Sequence, residues 1–286
     1  MSNDFNQQII EEFRANGGQV GGPFAGARLI LLTTIGARSG ARHTTPVAYL
    51  PDGGDRILVI ASAGGSPRHP DWYHNLVANP EVTVETGVFT YRARATVLTG
   101  EERDRAFARA VETDPGWAEY QAKAQGRVIP VVALEEIPAP PQTPASTFGE
   151  ALKLIHDAFR REITLIRKEV AEAGPGLGAQ LRINCLTLCR GVHHHHQQED
   201  ASMFPALRER HPELRSALDR LDAEHRAIAA LLEEMQQILS AEDADRDHVL
   251  AEVDRLAAEL EAHLTYEEEQ LIPVIDGVPA SEDTAD

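Results

Sequence analysis

The chain has 286 residues, with 27 Lys+Arg against 45 Asp+Glu and a formal net charge of -18. That length accommodates two domains, each with its own core. The acidic balance argues against nucleic acid and against an anionic membrane face as partners. The charge is uneven: residues 1–140 hold 13 Lys+Arg and 16 Asp+Glu, and the remainder holds 14 and 29. The opening MSNDFNQQII lacks the basic and apolar regions of a signal peptide, and no stretch reaches the ~18 apolar residues of a membrane span. A cytoplasmic protein without stable membrane insertion is therefore expected.

In chain order, residues 4–16 read as an amphipathic helix that stops at Gly17-Gly18. A β-rich stretch follows in ARLILLTTIG, HTTPVAYLPDGGDRILVIASAGG and PEVTVETGVFTYRARATVLTG. Pro51-Asp52-Gly53-Gly54 between two apolar runs is a hairpin signal, and alternation around Gly87 marks a second hairpin. HPDWYHNLVANP reads as a short helix closed by Asn79-Pro80. Helices are expected over 100–112 and 115–125, with VIPVVALEEI as a last strand. The Pro-rich segment 138–146 is a natural linker.

Beyond it the pattern is helical, with helices expected near 147–172, 178–201, 212–239 and 246–274. Breaks are expected at AGPGLG, FPALRERHPE and AEDADRD. Cys185 and Cys189, spaced i and i+4, read as small buried apolar residues.

The helical half contains one His, then His-x3-Glu, twice over: His156, His195 with Glu199, His225, and His263 with Glu267. Residues i and i+4 share a helix face. Antiparallel helices would bring all six to similar heights along a bundle, where imidazole and carboxylate together suit iron. The fragments LIHDAFRRE, HHHHQQEDASMFP, LDAEHRAI and HLTYEEEQLIPVI resemble the hemerythrin-like HHE cation-binding family. That resemblance covers about 150–276 and implies a diiron site held by those six residues. It departs at Ala229, where oxygen-carrying members have a further histidine, so His196 or water is left to complete the set. His193, His194, His211 and His248 read as surface residues.

In the β-rich half, Gly36 and Gly40 bracket Arg38-Ser39 in a small basic turn suited to phosphate. Small residues and two aromatics follow in ASAGGSPRHPDWYHNL. Together, LLTTIGARSGARHTTP and IASAGGSPRHPDWYHNLVANP resemble the deazaflavin-dependent nitroreductase family, over about 25–134. The resemblance implies a split β-barrel that binds coenzyme F420 and passes hydride to a small-molecule electron acceptor, a quinone or nitroaromatic.

Carried over residue by residue, Arg38 and Ser39 would contact the phosphate and glutamate tail, with His43 where an Arg is usual. Thr44, Thr45, Pro46, Val47 and Ala48 would run beside the deazaflavin, and Ala61, Ser62 and Ala63 would back the ring. Trp72, Tyr73, His74 and Asn75 would close the tail side. Trp117 and Tyr120 would stand over the acceptor pocket, with Tyr120 as a proton donor. Ala37, His43 and Ala63 weaken three cationic contacts found among relatives, which leaves FMN as the alternative cofactor. Homodimerisation is an expectation by analogy with split-barrel relatives.

The expected fold class is α+β in two domains, a flavin-reductase-like split β-barrel followed by an antiparallel four-helix bundle. The expected boundaries are 1–137 for the barrel, 138–146 for the linker, 147–276 for the bundle and 277–286 for a disordered tail.

Overall fold

The computed structural model describes residues 2–139, 142–174, 176–241 and 244–277. The expected tail, apart from Gly277, lies outside the described residues. The chain divides into two compact units: Met1–Pro144 with Gly178–Asn184, and Ala145–Leu177 with Cys185–Asp286.

The first unit is a closed antiparallel barrel of β1 (Leu29–Ile35), β2 (Arg42–Pro51), β3 (Arg56–Ile60), β4 (Glu81–Glu85), β5 (Thr90–Val97) and β6 (Val131–Glu136). Around the barrel the order is β1-β2-β3-β6-β5-β4. The last strand in sequence thus fills the gap between β3 and β5 and closes the sheet on itself, leaving one side of β2 unpaired before Tyr49.

Strand alternation sends side chains to two faces. Ile30, Leu32, Val59, Val84, Val132 and Leu134 form one core cluster. On the other face, Leu29 and Leu31 pack against Ile9, Ile10 and Phe13 of α1 (Ser2–Ala15). Leu58, Val131 and Ala133 likewise meet Phe107 and Ala110 of α3 (Gly100–Thr113). Two-sided burial explains why LILLTTI reads as a continuous apolar run rather than an alternation.

The connections follow the turn residues. Asp52 N–H donates to Arg56 O at 3.0 Å, with Gly53 and Gly54 both at positive φ. Gly87 sits at φ +93, and a Cβ there would come within 2.4 Å of Gly17 O. Two short helices complete the unit, α2 (Asp71–Ala78) and α4 (Gly116–Lys123). Within the expected linker, Gln142 pairs with Thr90 through two backbone bonds of 2.7 and 2.9 Å. That part of the Pro-rich segment is therefore fastened to a strand end.

The second unit is built from α5 (Phe148–Glu172), the part of α6 (Ala179–Gln198) from Cys185 onward, α7 (Phe204–Arg210), α8 (Arg215–Ser240) and α9 (Arg246–Ile275). Thr147 caps α5, its hydroxyl oxygen accepting from Glu150 N–H at 3.1 Å. Asp245 caps α9, accepting from His248 N–H at 3.0 Å. These side chains satisfy helix-end donors that would otherwise lack partners.

One expectation differs. FPALRER is the helix α7, not a break, and one π-helical turn, Glu199–Met203, joins it to α6. Pro205 stands just inside α7, directly after the π-helical turn. Both cysteines are buried. Among the described residues, no helix is long and apolar enough to cross a membrane.

Candidate functional site

In the barrel unit, β2 pairs with β1 from Arg42 to Ala48 but with β3 only from Tyr49 to Pro51. Residues 42–48 thus have one unpaired side, which is why Pro46, lacking an N–H, is tolerated mid-strand. The alternation of ladder bonds turns the amides of Thr44 and Ala48 toward that open side. Thr44, Thr45, Pro46 and Val47 are half-buried and Ala48 is exposed, although both neighbouring strands are deeply buried.

The β1–β2 turn stands at one end of this edge. Gly36 leaves room there for the turn's own side chains: a Cβ would meet Ser39 Oγ at 2.3 Å and displace it. Ser39 Oγ and His43 Nε2 lie 3.3 Å apart, and Arg38 is exposed. Asn75 on α2 fastens the turn: Ala37 N–H donates to its Oδ1 at 3.0 Å, and its Nδ2 donates to Thr34 Oγ1 at 3.1 Å. The buried Asn75 amide thus braces the turn from beneath. Trp72 is buried in the barrel core beside Leu76.

Tyr73 packs on His69 at 4.7 Å between ring centroids, and His74 meets both edge-on. The loop 61–66 runs from β3 and packs on α4. Gly65, at φ +81, sits so close that a Cβ would lie 2.7 Å from Lys123 Cβ and 3.0 Å from Tyr120 O. Trp117 and Tyr120 meet edge-on at 6.0 Å, with Trp117 half-buried against the α3 core and Tyr120 exposed. Direct contacts thus join the basic turn to α2 and the 61–66 loop to α4. The sequence reading missed Arg127, whose side chain reaches the carbonyls of Ala61, Ser62 and Ser66. A lone Arg in a loop carries no sequence signal for such a role.

In the bundle unit, two groups of candidate ligands stand side by side. His156, His195, Glu199 and Glu267 form one, and His196, His225 and His263 the other. Within each group the ligand atoms lie within 4.8 Å of one another. The carboxylates link them. Glu199 Oε1 is 3.1 Å from His195 Nε2, while its Oε2 is 3.5 Å from His225 Nε2. Glu267 Oε2 lies 3.5 Å from His156 Nε2 and 3.6 Å from His263 Nε2.

Outward-facing nitrogens are held by carboxylates. His156 Nδ1 meets Glu268 at 2.9 Å, His225 Nδ1 meets Asp200 at 2.8 Å, and His263 Nδ1 meets Glu224 at 3.0 Å. Such partners fix the ring so that Nε2 points inward with its lone pair free. Asp200 owes its place to the π-helical turn, a distortion common at functional sites.

The electrostatics mark the same place. Burial, then the facing Glu267, raises the pKa of Glu199, and burial raises that of Glu267. Burial first, then neighbouring imidazoles, lowers His195 to about 2 and His263 to about 4. Both carboxylates and the Nε2 atoms of His196, His225 and His263 are buried without hydrogen-bond partners. Neutral imidazoles and unpaired carboxylates converging on one point are the donor set a divalent or trivalent cation satisfies. The residues fit a metal centre. His193, His194 and His248 are exposed, and His211 is half-buried beside Glu213.

Together the units define a barrel with an open strand edge joined to a helical bundle around a buried metal-binding cluster. Residues 6–136 match the F420H(2)-dependent quinone reductase family, and residues 147–275 match the hemerythrin HHE cation binding domain. The F420H(2)-dependent quinone reductase Rv1261c of Mycobacterium tuberculosis is 36% identical over 126 residues, 43% of this chain and 83% of that protein. A solved F420-H2 dependent reductase, FDR-A, is 41% identical, covering 38% of this chain and 94% of that one with a TM-score of 0.35. A solved domain-swapped dimer is 36% identical, covering 47% and 100% with a TM-score of 0.37. The chain belongs to the F420H(2)-dependent quinone reductase family, a family of oxidoreductases, and carries a hemerythrin-like domain behind the reductase barrel.

Proposed function

We propose that the barrel unit binds reduced coenzyme F420 and catalyses hydride transfer to a flat, electron-poor acceptor of quinone or nitroaromatic type. The observation that carries this reading is the half-paired β2, whose unpaired Thr44 and Ala48 amides lie between the basic turn and the 61–66 loop. Reduced F420, when bound, supplies the hydride; the chain supplies orientation and access.

In this reading Arg38, Ser39 and His43 hold the anionic tail. Residues Thr44, Thr45, Pro46, Val47 and Ala48 present the backbone edge, and Ala61, Ser62 and Ala63 leave room for a planar ring. Tyr73, His74 and Asn75 shape the tail side, with Trp72 beneath them in the core. Trp117 supports the acceptor wall. Tyr120, exposed beside it, donates a proton to the acceptor oxygen. Acceptor and cofactor must lie in contact, since hydride transfer demands short range and alignment.

In the bundle unit the reading is two iron ions, one at each ligand group, with Glu199 and Glu267 between them. Such a centre would react with or sense oxygen, peroxide or nitric oxide. Parallel fluorescence titrations with oxidised F420 and FMN test the barrel, followed by turnover of the reduced cofactor with menadione. Preference for FMN would change the cofactor and keep the oxidoreductase; binding of neither overturns the reading. Iron analysis after anaerobic loading tests the bundle, and less than one iron per chain counts against a binuclear centre.

A further inference from the structure

Arg127 follows the C-terminal turn of α4, where Gln125 and Gly126 both take positive φ, 53 and 86. Its N–H donates to Ala124 O at 3.0 Å, and one side chain holds the residues that follow: Gln121 Nε2 donates to Arg127 O at 2.7 Å, and Ile129 N–H donates to Gln121 Oε1 at 2.9 Å. Arg103 from α3 braces the same spot, donating to Ile129 O at 2.6 Å and to Gln121 Oε1 at 3.3 Å.

From that anchorage the guanidinium crosses to the 61–66 loop. Nε donates to Ser66 O at 3.0 Å, and Nη2 donates to Ser66 O at 2.8 Å and Ser62 O at 2.7 Å. Nη1 donates to Ala61 O at 3.0 Å and faces His69 Nδ1 at 3.1 Å. A guanidinium has N–H donors and no acceptor, so His69 must accept at Nδ1. Burial first, then the charges of Arg127 and His74, hold the His69 pKa below its ordinary value, which favours that neutral form. Every N–H of Arg127 is therefore engaged within the protein, and none is left for a ligand.

We propose that Arg127 is a positioning residue for the cofactor reaction. It fixes the loop that backs the cofactor and ties that loop to the segment following α4, so that one guanidinium holds the cofactor wall in its binding shape. Loops of this kind have many accessible shapes, and a rigid fork selects one before ligand arrives. The contact of Gly65 with Tyr120 and Lys123 is the packed counterpart of the same attachment. The proposal rests on the reading of the barrel as an F420 site.

The test uses the full chain with Arg127→Ala and Arg127→Gln. The expected result is an F420 dissociation constant and a KM for reduced F420 both raised at least about tenfold, with kcat at saturating cofactor within about threefold of wild type. Free guanidinium at millimolar concentration should restore affinity in Arg127→Ala and leave wild type unchanged, an effect that general loosening of the fold would not give. Amide hydrogen exchange should quicken at residues 61–66 and not in β1. Undiminished F420 affinity in both variants overturns this proposal alone, as does loss of kcat with unchanged KM. A wild-type chain that binds no F420 overturns the underlying reading instead.

Discussion

His196 stacks face to face on His225, ring centroids 4.0 Å apart and 9° from parallel. Its Nε2 is buried without a hydrogen-bond partner, and its ring centroid lies 4.9 Å from that of His263. His196 on α6 is thus the candidate for the imidazole that Ala229 on α8 does not supply. Replacing His196 by Ala should lower bound iron from about two to about one per chain, because a site reduced to two imidazoles loses affinity steeply. Metal analysis after anaerobic loading measures it, with exposed His193→Ala as the control. Full retention of iron would remove His196 from the ligand set.

Glu268 receives His156 Nδ1 at 2.9 Å and Arg160 Nη1 at 2.6 Å. Its pKa falls to about 2: burial acts in the opposite direction, and the bonds from His156 and Arg160 overcome it. Substitution by Gln keeps the shape and removes the charge that orients the imidazole. Metal affinity should fall about 10- to 100-fold, as it does when partners of metal-bound histidines are lost. Competition with a coloured chelator would read the change; equal affinity in both proteins would count against it.

Asn75→Ala separates bracing from ligand contact. It leaves Ala37 N–H and Thr34 Oγ1 without their side-chain partner, in a part of the barrel where Asn75 is 8% exposed. The expected loss is about 1–3 kcal/mol of stability, the cost of a buried polar group unpaired. Denaturant unfolding of the chain without cofactor should show it. An unchanged midpoint would mean that the turn stands without its brace.

Burial pushes the Cys189 thiol up to about 12 from an ordinary value of 9.0. The thiolate is the reactive form, so native protein at pH 8 should resist iodoacetamide while denatured protein labels at both cysteines. A raised pKa in the folded state gives a stability contribution that is complete below about pH 9. It declines as the pH rises toward about 12, because the unfolded chain ionises first. Mass spectrometry of labelled protein over pH 7–10 checks the first point, and rapid native labelling would refute it.

Much of the bundle was legible in the sequence because helical geometry is local. Spacing of four residues puts His195 over Glu199 and His263 over Glu267, whatever surrounds them. His196 was harder, since adjacent helical residues point about 100° apart and only one normally faces a given neighbour. Both count here because α6 presents His195 toward His156 of α5 and His196 toward His225 and His263 of α8 and α9. FPALRER reads as a break because Phe-Pro resembles a stop signal, whereas the helix runs on through one π-helical turn and Pro205 falls just inside α7.

The sequence by itself determined the hairpins, the caps and the ligand-bearing helix faces, because each depends on residues within a turn or two. Tertiary structure alone decided the rest. Closure of the barrel brings β6 between β3 and β5 and leaves half of β2 open. It also carries Arg127 to carbonyls 61 to 66 residues earlier in the chain. Those contacts depend on where distant elements come to rest, and burial and hydrogen-bond satisfaction decide that only when the whole chain packs.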